Sequence, residues 1–486
     1  MDDGRKLEAR WLTWDEAGEA MLDLRRRVFM DEMNWPEKRI HRDRDPDGLH
    51  LCALSDGEIV AAISAYVYEP GAPELAALKL STTDGPTVGI GMRVELPEYR
   101  GRLVTAELGT SMVRQICESL SPSQFFVYVH ADTLLHLVDR YARRNFTYHA
   151  QAGSGEDTVV VMKVEGEEEL ERFYLQHREL TRKYSADGGI PVPSLVHFLA
   201  ENKWEDLFAV TALNSENHYL RQLRLRTETP RLASQGQVML AEQRQRLART
   251  PFPSAPASLV DLGSGPGDYL AAIAKQAPFA GYQVRGIEPA PELLTRARSA
   301  YPELDFREGS AYAVGERDSS QDVVTATFVF VHLRSPDLAL LEIRRILRPG
   351  GLLYVVDVND ATLAGPEIVR RMMQTYNRTY AGDRLLLNDL PRRAQEFGFE
   401  LVRHFSTTLR DGGGARPVFG KDEIRLGRQD AWSLLSFVRT QTGCEEVFDE
   451  AQKHYFATQC QISLNVETQI YRLRTEMASP ENPQAR

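Results

Sequence analysis

Residues 258–270 read SLVDLGSGPGDYL, a short apolar run that ends in Asp261 and passes at once into Gly263, Gly265 and Gly267. The run has the character of a buried strand. A G-x-G-x-G turn behind such a strand lets backbone approach a ligand closely, because no Cβ stands in the way. A nucleotide is the natural guest. Downstream, YQVRGIE, LDFREG, DVVTATFVF and GLLYVVD alternate with amphipathic segments, which predicts a parallel sheet flanked by helices. In LALLEIRRILRPGG (338–351), Ala339, Leu340, Ile343, Ile346 and Leu347 share one helical face, and Pro-Gly-Gly supplies the stop. Glu288 closes the second strand, 21 residues after Gly267, where a carboxylate can accept hydrogen bonds from both hydroxyls of a ribose.

Two nucleotide readings compete at this turn. A dinucleotide site wants a pyrophosphate at the helix start, and Asp261 and Asp268 would repel it. The two carboxylates suit a ligand carrying an ammonium and a sulfonium, which is S-adenosylmethionine (SAM). From residue 226 to about 408 the sequence resembles the class I SAM-dependent methyltransferases, through VDLGSGPG, GIEPA, EGSAYAV and VFVHLRSPDLALLEIRRILRPGGLLYVVD, with TPRLASQGQVM (229–239) similar to the entry helix that closes over the cofactor. The resemblance implies a Rossmann-like sheet. It makes Asp261, Gly263, Ser264, Gly265, Gly267, Glu288, Pro289, Ser310 and Ala311 the cofactor-binding set. Within that set Asp261, Gly263 and Gly265 line the methionine end, Glu288 holds the ribose, and Ser310 with Ala311 flanks the adenine. Ser310 stands where the family often has Asp. His332, just past the fourth strand, is either a catalytic base for the acceptor's proton or an imidazole capping the next helix. After FGFELVRHF (397–405) the sheet is interrupted, and a last strand is expected only at CQISLNVETQIYRL (460–473). Residues 411–458 are read as an acceptor-binding cap insertion, whose Trp432, Phe437, Phe448, Tyr455 and Phe456 either line the site or form the insertion's own core.

The first 165 residues need a separate account. In TVGIGMRVELPEYRGRLVTAELGTSMVRQICESL (87–120), Val88, Ile90, Met92 and Val94 alternate as a half-buried strand, Pro97 ends it, and an Arg-Gly-Arg turn leads into a helix. This segment, with LRRRVFMDEMNW (24–35), DPDGLHLCALSDGEIVAAISAYV (45–67) and LVDRYARRNFTYH (137–149), resembles the GNAT acyltransferases, in particular the branch with N-acyl amino acid and acyl-homoserine-lactone synthases. The resemblance implies a mixed α/β domain that binds acyl-CoA, with Arg100, Gly101 and Arg102 at the pyrophosphate and Tyr141 as the general acid for the departing thiolate. Leu103 and Thr105 occupy the glycine positions of the family's turn, and Asn145 replaces the glycine before Phe146. The domain is therefore either an acyltransferase or a retained fold serving substrate binding, docking or formation of a homodimer.

Composition bounds the rest. At 486 residues with 42% hydrophobic and 26% charged, the expectation is a soluble chain of two to four domains. A net charge of -11 argues against nucleic acid as a partner, and LRQLRLRTETPR (220–231) reads as a solvated helix face. Cys52, Cys117, Cys444 and Cys460 show no metal-ligand spacing, so no metal is expected, and free thiols suit the cytoplasm. No apolar stretch is long enough to span a membrane. The expected organisation is α/β throughout: a GNAT-like domain at 1–165, a helical connector at 166–225, a methyltransferase domain at 226–477, and a disordered tail at 478–486. The expected function is SAM-dependent methylation of a small-molecule acceptor in specialised metabolism. The alternatives are a bifunctional acyltransferase and methyltransferase acting on one metabolite, and a non-enzymatic SAM sensor.

Overall fold

A computed structural model describes residues 6–81, 84–132, 134–215, 236, 238–240, 242–412, 414 and 417–475. The chain divides into two compact units, 1–209 and 210–486.

The first unit is built on seven strands: β1 (Leu7–Leu12), β2 (Leu49–Ser55), β3 (Glu58–Tyr68), β4 (Thr87–Glu95), β5 (Gln124–His130), β6 (Thr147–Ala152) and β7 (Val159–Glu165). They lie in the order β1-β2-β3-β4-β5-β7-β6. All neighbours are antiparallel except β4 and β5, which pair in parallel over three residues each, Thr87–Gly89 against Gln124–Phe126. Beyond Gly91 the β4 register is bulged, and Met92 takes a left-handed φ of 48°. Thr13 opens the helix Trp14–Arg25 with a capping box closed by Glu16. The expected strand at 88–94 is β4, and the expected helix after the arginine turn spans Val104–Ser119.

The expected connector does not stand apart. The helix Glu167–Ala186 buries Phe173 and Tyr174, and the helix Leu195–Glu201 buries Leu195 and Leu199, all in one core with Phe125, Val113 and Ile116. The acidic run EGEEELE (165–171) leads from the end of β7 into the first turn of that long helix, where Glu167, Glu168 and Glu169 complement the N-terminal dipole. The helix stops at Ala186, and Gly188 within SADGGIPVP (185–193) adopts a φ of 79°.

The second unit carries nine strands: β8 (Ser258–Leu262), β9 (Gln283–Glu288), β10 (Asp305–Glu308), β11 (Gln321–Thr327), β12 (Leu347–Ala364), β13 (Phe399–Asp411), β14 (Val418–Phe419), β15 (Glu423–Leu426) and β16 (Ser463–Leu473). Their order is β10-β9-β8-β11-β12-β16-β13-β15-β14. The first five are parallel, and β16 runs antiparallel between β12 and β13. The chain leaves β8 toward one edge and returns to its other side as β11, so the carboxyl ends of β8 and β11 flank a topological switch point, where such sheets bind ligands. On the helix Pro336–Ile346, Ala339, Leu340, Ile343 and Ile346 are fully buried, and Leu347 begins β12. The run DVVTATFVF stops being a strand at Thr327, because Phe328 turns the chain with a φ of 58° into a short helix at Phe330–His332.

The insertion at 411–458 is partly sheet, not only a helical cap. Its β14 and β15 extend the sheet beyond β13, and the helices Arg428–Ser433 and Glu445–Ala457 follow. Trp432 stacks on Tyr455 at 4.9 Å and packs against Phe448, and all three join the buried core that also holds Leu259, Tyr354 and Ile470, so they form no separate core of the insertion, while Phe456 stays exposed. The basic stretch 220–231, the tail 478–486 and most of the expected entry helix at 229–239 lie outside the described residues. Among the described residues no helix is long and apolar enough to cross a membrane, and no cluster of His, Cys, Asp or Glu has the makings of a metal site.

Candidate active site

One cavity opens at the switch point of the second unit, and Asp261, Gly263, Ser264, Gly265, Glu288, Pro289, Ser310, Ala311 and His332 all line it. The three glycines of the turn have positive φ, but they do different work. A Cβ on Gly263 would meet Val329 Cγ2 at 2.7 Å, and one on Gly267 would meet Phe306 Cζ at 2.7 Å. Only the Gly265 position faces open space. Gly267, expected as a cofactor contact, does not line the cavity. It is small so that the helix Asp268–Ala274 can lie close to Phe306, Tyr301 and Ala297.

Glu288 ties this turn to β9. The Gly265 N–H donates to its Oε2 at 2.8 Å and the Ala290 N–H to its Oε1 at 2.9 Å, and each oxygen keeps a lone pair for a further donor. Burial raises its pKa, with those two amides acting in the opposite sense. Asp261 is also buried and accepts the Thr325 hydroxyl at 2.7 Å. Burial pushes its pKa up to about 7, the Thr325 hydroxyl opposes this, and the Glu288 charge adds to it. Asp268 accepts the Tyr301 hydroxyl on Oδ1, and its buried Oδ2 has no partner. Carboxylates gathered at one end of a cavity are costly alone and are relieved by a cation. At the other end of the turn region the Ser310 hydroxyl donates to the Asn214 side-chain oxygen. Asn214 and Leu213 line the cavity from the short helix Val210–Ser215, inside the stretch expected to be a connector. No periodicity or motif marks Asn214 in the sequence.

His332 sits at the far side, its Nδ1 2.5 Å from the Tyr380 hydroxyl. Its turn is anchored by buried Asp357, which accepts the Val331 N–H at 3.1 Å and whose pKa burial pushes up to about 7. The insertion contributes Leu434, Leu435, Phe437 and Thr440 to the same wall.

Residues 260–355 match the family described as Methyltransferase domain. The second unit contains a class I SAM-dependent methyltransferase domain. A demethylmenaquinone methyltransferase of Chlorobaculum parvum is 34% identical over 99 residues, which are 20% of this chain and 40% of that protein. An uncharacterized 37.1 kDa protein in a Streptomyces fradiae transposon is 31% identical over 175 residues, 34% of this chain and 50% of that protein. The chain thus spans half or less of the length of these relatives. Among solved structures, geranyl diphosphate C-methyltransferase from Streptomyces coelicolor aligns with 47% of this chain and 78% of its own at 13% identity and a TM-score of 0.30. The residues of the methyltransferase domain fit SAM by the chemistry of the cavity: an open backbone position at Gly265, buried carboxylates, and a hydroxyl-accepting Glu288.

The remaining candidates belong to the first unit. Arg100 is engaged by Glu32, with Nη2 donating to Oε2 at 2.6 Å. Arg102 lies over the Tyr99 ring at 5.8 Å, and a Cβ on Gly101 would meet nothing. These three residues form the short helix Pro97–Arg102 with its two preceding neighbours and Pro97. Leu103, exposed and left-handed at φ 57°, caps the following helix. Thr105 is buried, accepting from Arg93 Nε at 2.7 Å and donating to Glu95 at 2.9 Å. A carboxylate and an occupied hydroxyl therefore face the helix start where the expected pyrophosphate would lie. Tyr141 packs edge-on against Phe146 at 5.8 Å, and burial raises its pKa.

Proposed function

We propose that the second unit transfers the methyl group of SAM to a small-molecule acceptor. The observation that carries this reading is the joining, in one cavity, of the glycine turn and its buried carboxylates with a second, largely apolar region bearing His332 and the insertion's Phe437. SAM supplies a methyl group already activated on a sulfonium. The chain positions it: Glu288 is placed for the ribose, Asp261 and Asp268 for the positive methionine end, and the Ser310–Asn214 pair for the adenine edge. Positioning two reactants in line accounts for much of the acceleration such a transfer needs. A bare sensor has no use for the second region, which favours an enzyme acting in small-molecule biosynthesis. Titration of the purified chain with SAM, followed by mass spectrometry of metabolites incubated with SAM and enzyme, tests it. A chain that binds no SAM sinks the reading.

For the first unit we propose a GNAT-like fold. What supports it is the order β1-β2-β3-β4-β5-β7-β6 with a single short parallel pairing and a bulge in β4. A working acyl-CoA site is disfavoured by Glu95 and Thr105 at the helix start, so the proposal is a retained scaffold, and methylation proceeds without coenzyme A.

A further inference from the structure

The half of the cavity away from the glycine turn has chemistry of its own. Its wall is mostly aromatic and aliphatic, with His332, Arg384 and Thr440 among its polar members. Tyr376 stacks on Tyr380 at 4.9 Å with planes 19° apart, and Phe437 meets Tyr376 edge-on at 5.0 Å. The His332 ring stands nearly perpendicular to Tyr380, at 87°. Gly382 makes this possible, since a Cβ there would collide with the Val331 carbonyl and come within 3.0 Å of His332 Cα. Buried Arg384, two residues on, lies 4.4 Å above the Phe437 ring. Its Nε and Nη2 donate to Asp360 at 2.7 and 2.9 Å, and its Nη1 makes no hydrogen bond among the described residues.

These features discriminate between acceptors. With its charge paired by Asp360, Arg384 keeps Nη1 as a hydrogen-bond donor for an acceptor oxygen, a contact an ammonium cannot take. A base matters most to a nucleophile that must shed a proton to attack, whereas a neutral amine already presents its lone pair. Flat aromatic surfaces suit a ring. Resting on the methyltransferase reading, we propose that the acceptor is a phenol or enol on a largely apolar ring system, that His332 Nε2 takes its hydroxyl proton while Arg384 steadies the oxygen, and that Tyr380 is the positioning residue that holds Nδ1. The acceptor oxygen forms a bond to the methyl carbon as the methyl–sulfur bond breaks. That electron pair stays on sulfur, giving S-adenosylhomocysteine and a methyl ether, and the proton passes from the imidazole to water. The positive charge lost from sulfur leaves as that proton.

The test uses the full chain with SAM and two probes of one shape, 4-methylumbelliferone and 7-amino-4-methylcoumarin. The phenol is expected to bind and give its methyl ether at least tenfold faster than the amine is methylated. His332→Gln is expected to lower kcat on the phenol by about 100-fold or more with the SAM dissociation constant unchanged within about twofold. Tyr380→Phe, which keeps the ring stack, is expected to lower kcat about tenfold with little change in KM, and to alter the imidazole tautomer seen by nitrogen NMR. Wild-type enzyme that binds SAM yet ignores the phenol, methylates the amine as fast, or loses less than about twofold on His332→Gln overturns the inference. Absence of SAM binding by the wild type overturns the methyltransferase reading itself, and this inference with it.

Discussion

Gly265 and Gly267 stand two residues apart, both with positive φ, yet a methyl group added to each meets opposite surroundings. Gly265→Ala places that methyl in the cavity, so SAM affinity is expected to fall at least tenfold while stability drops by only ~1 kcal/mol for the left-handed backbone. Gly267→Ala drives it into Phe306 and is expected to cost more, ~2–4 kcal/mol, from backbone strain and overpacking together. Calorimetric SAM titration and urea unfolding of both variants separate the two effects. Asp261 gives a pH prediction. Its carboxyl in the folded chain titrates near 7, well above the ordinary 3.8, so burying the ionised form removes stability as pH rises through that window. Asp261→Asn is expected to match the wild type near about pH 4 and to melt higher near about pH 8, where the wild type carries the buried charge. SAM affinity behaves inversely: in the wild type it strengthens from about pH 5.5 to 7 as the carboxylate forms, and in the variant it is weak and flat. At this scale the sequence showed the glycine turn and the Glu288 carboxylate that line the cavity, because glycine and acidic spacing follow from backbone geometry. It did not show Asn214 or the tyrosine pair at 376 and 380, whose meaning comes from contacts far along the chain.

Within the insertion, aromatic residues of similar type take up different roles. Trp432 is buried against Tyr455 and Phe448, whereas Phe437 borders the cavity. Trp432→Ala is expected to destabilise the second unit by ~3–5 kcal/mol. Phe437→Ala is expected to cost less than about half of that and to leave the SAM dissociation constant within about twofold, its effect falling on the acceptor's KM. Thermal melts and SAM titration check both. Elements with a strong local pattern were legible: the helix Pro336–Ile346 from its one apolar face, and β16 as the strand expected at 460–473 after the long interruption. Those set by a single backbone event were not. Phe328 ends β11 by adopting positive φ, which no apolar pattern announces.

The main core of the first unit draws on residues from both sides of position 165, and the division at 209/210 has an experimental edge. A fragment ending at residue 165 would leave Phe125, Val113 and Ile116 without Phe173, Tyr174, Leu195 and Leu199. It is expected to aggregate or lack a cooperative melt, whereas a fragment spanning 1–209 melts cooperatively, as circular dichroism of the two would show. Coenzyme A should leave that melt in place. If it bound with micromolar affinity, a hundredfold excess over the dissociation constant would add ~2.7 kcal/mol of stability, and no such shift is expected.

The place of β16 bears on how the protein is made. Its residues 463–473 are added between β12 and β13, strands completed more than fifty residues earlier in synthesis by the count from Asp411 to Ser463. On the ribosome, the first unit can close while translation continues. The second must wait with two sheet edges unpaired until residue 473 clears the exit tunnel, and open edges of that kind invite pairing with other nascent chains. Slowed elongation across 412–462 would prolong that exposure, so synonymous codon choice there becomes a determinant of yield for a protein whose final sequence is unaltered.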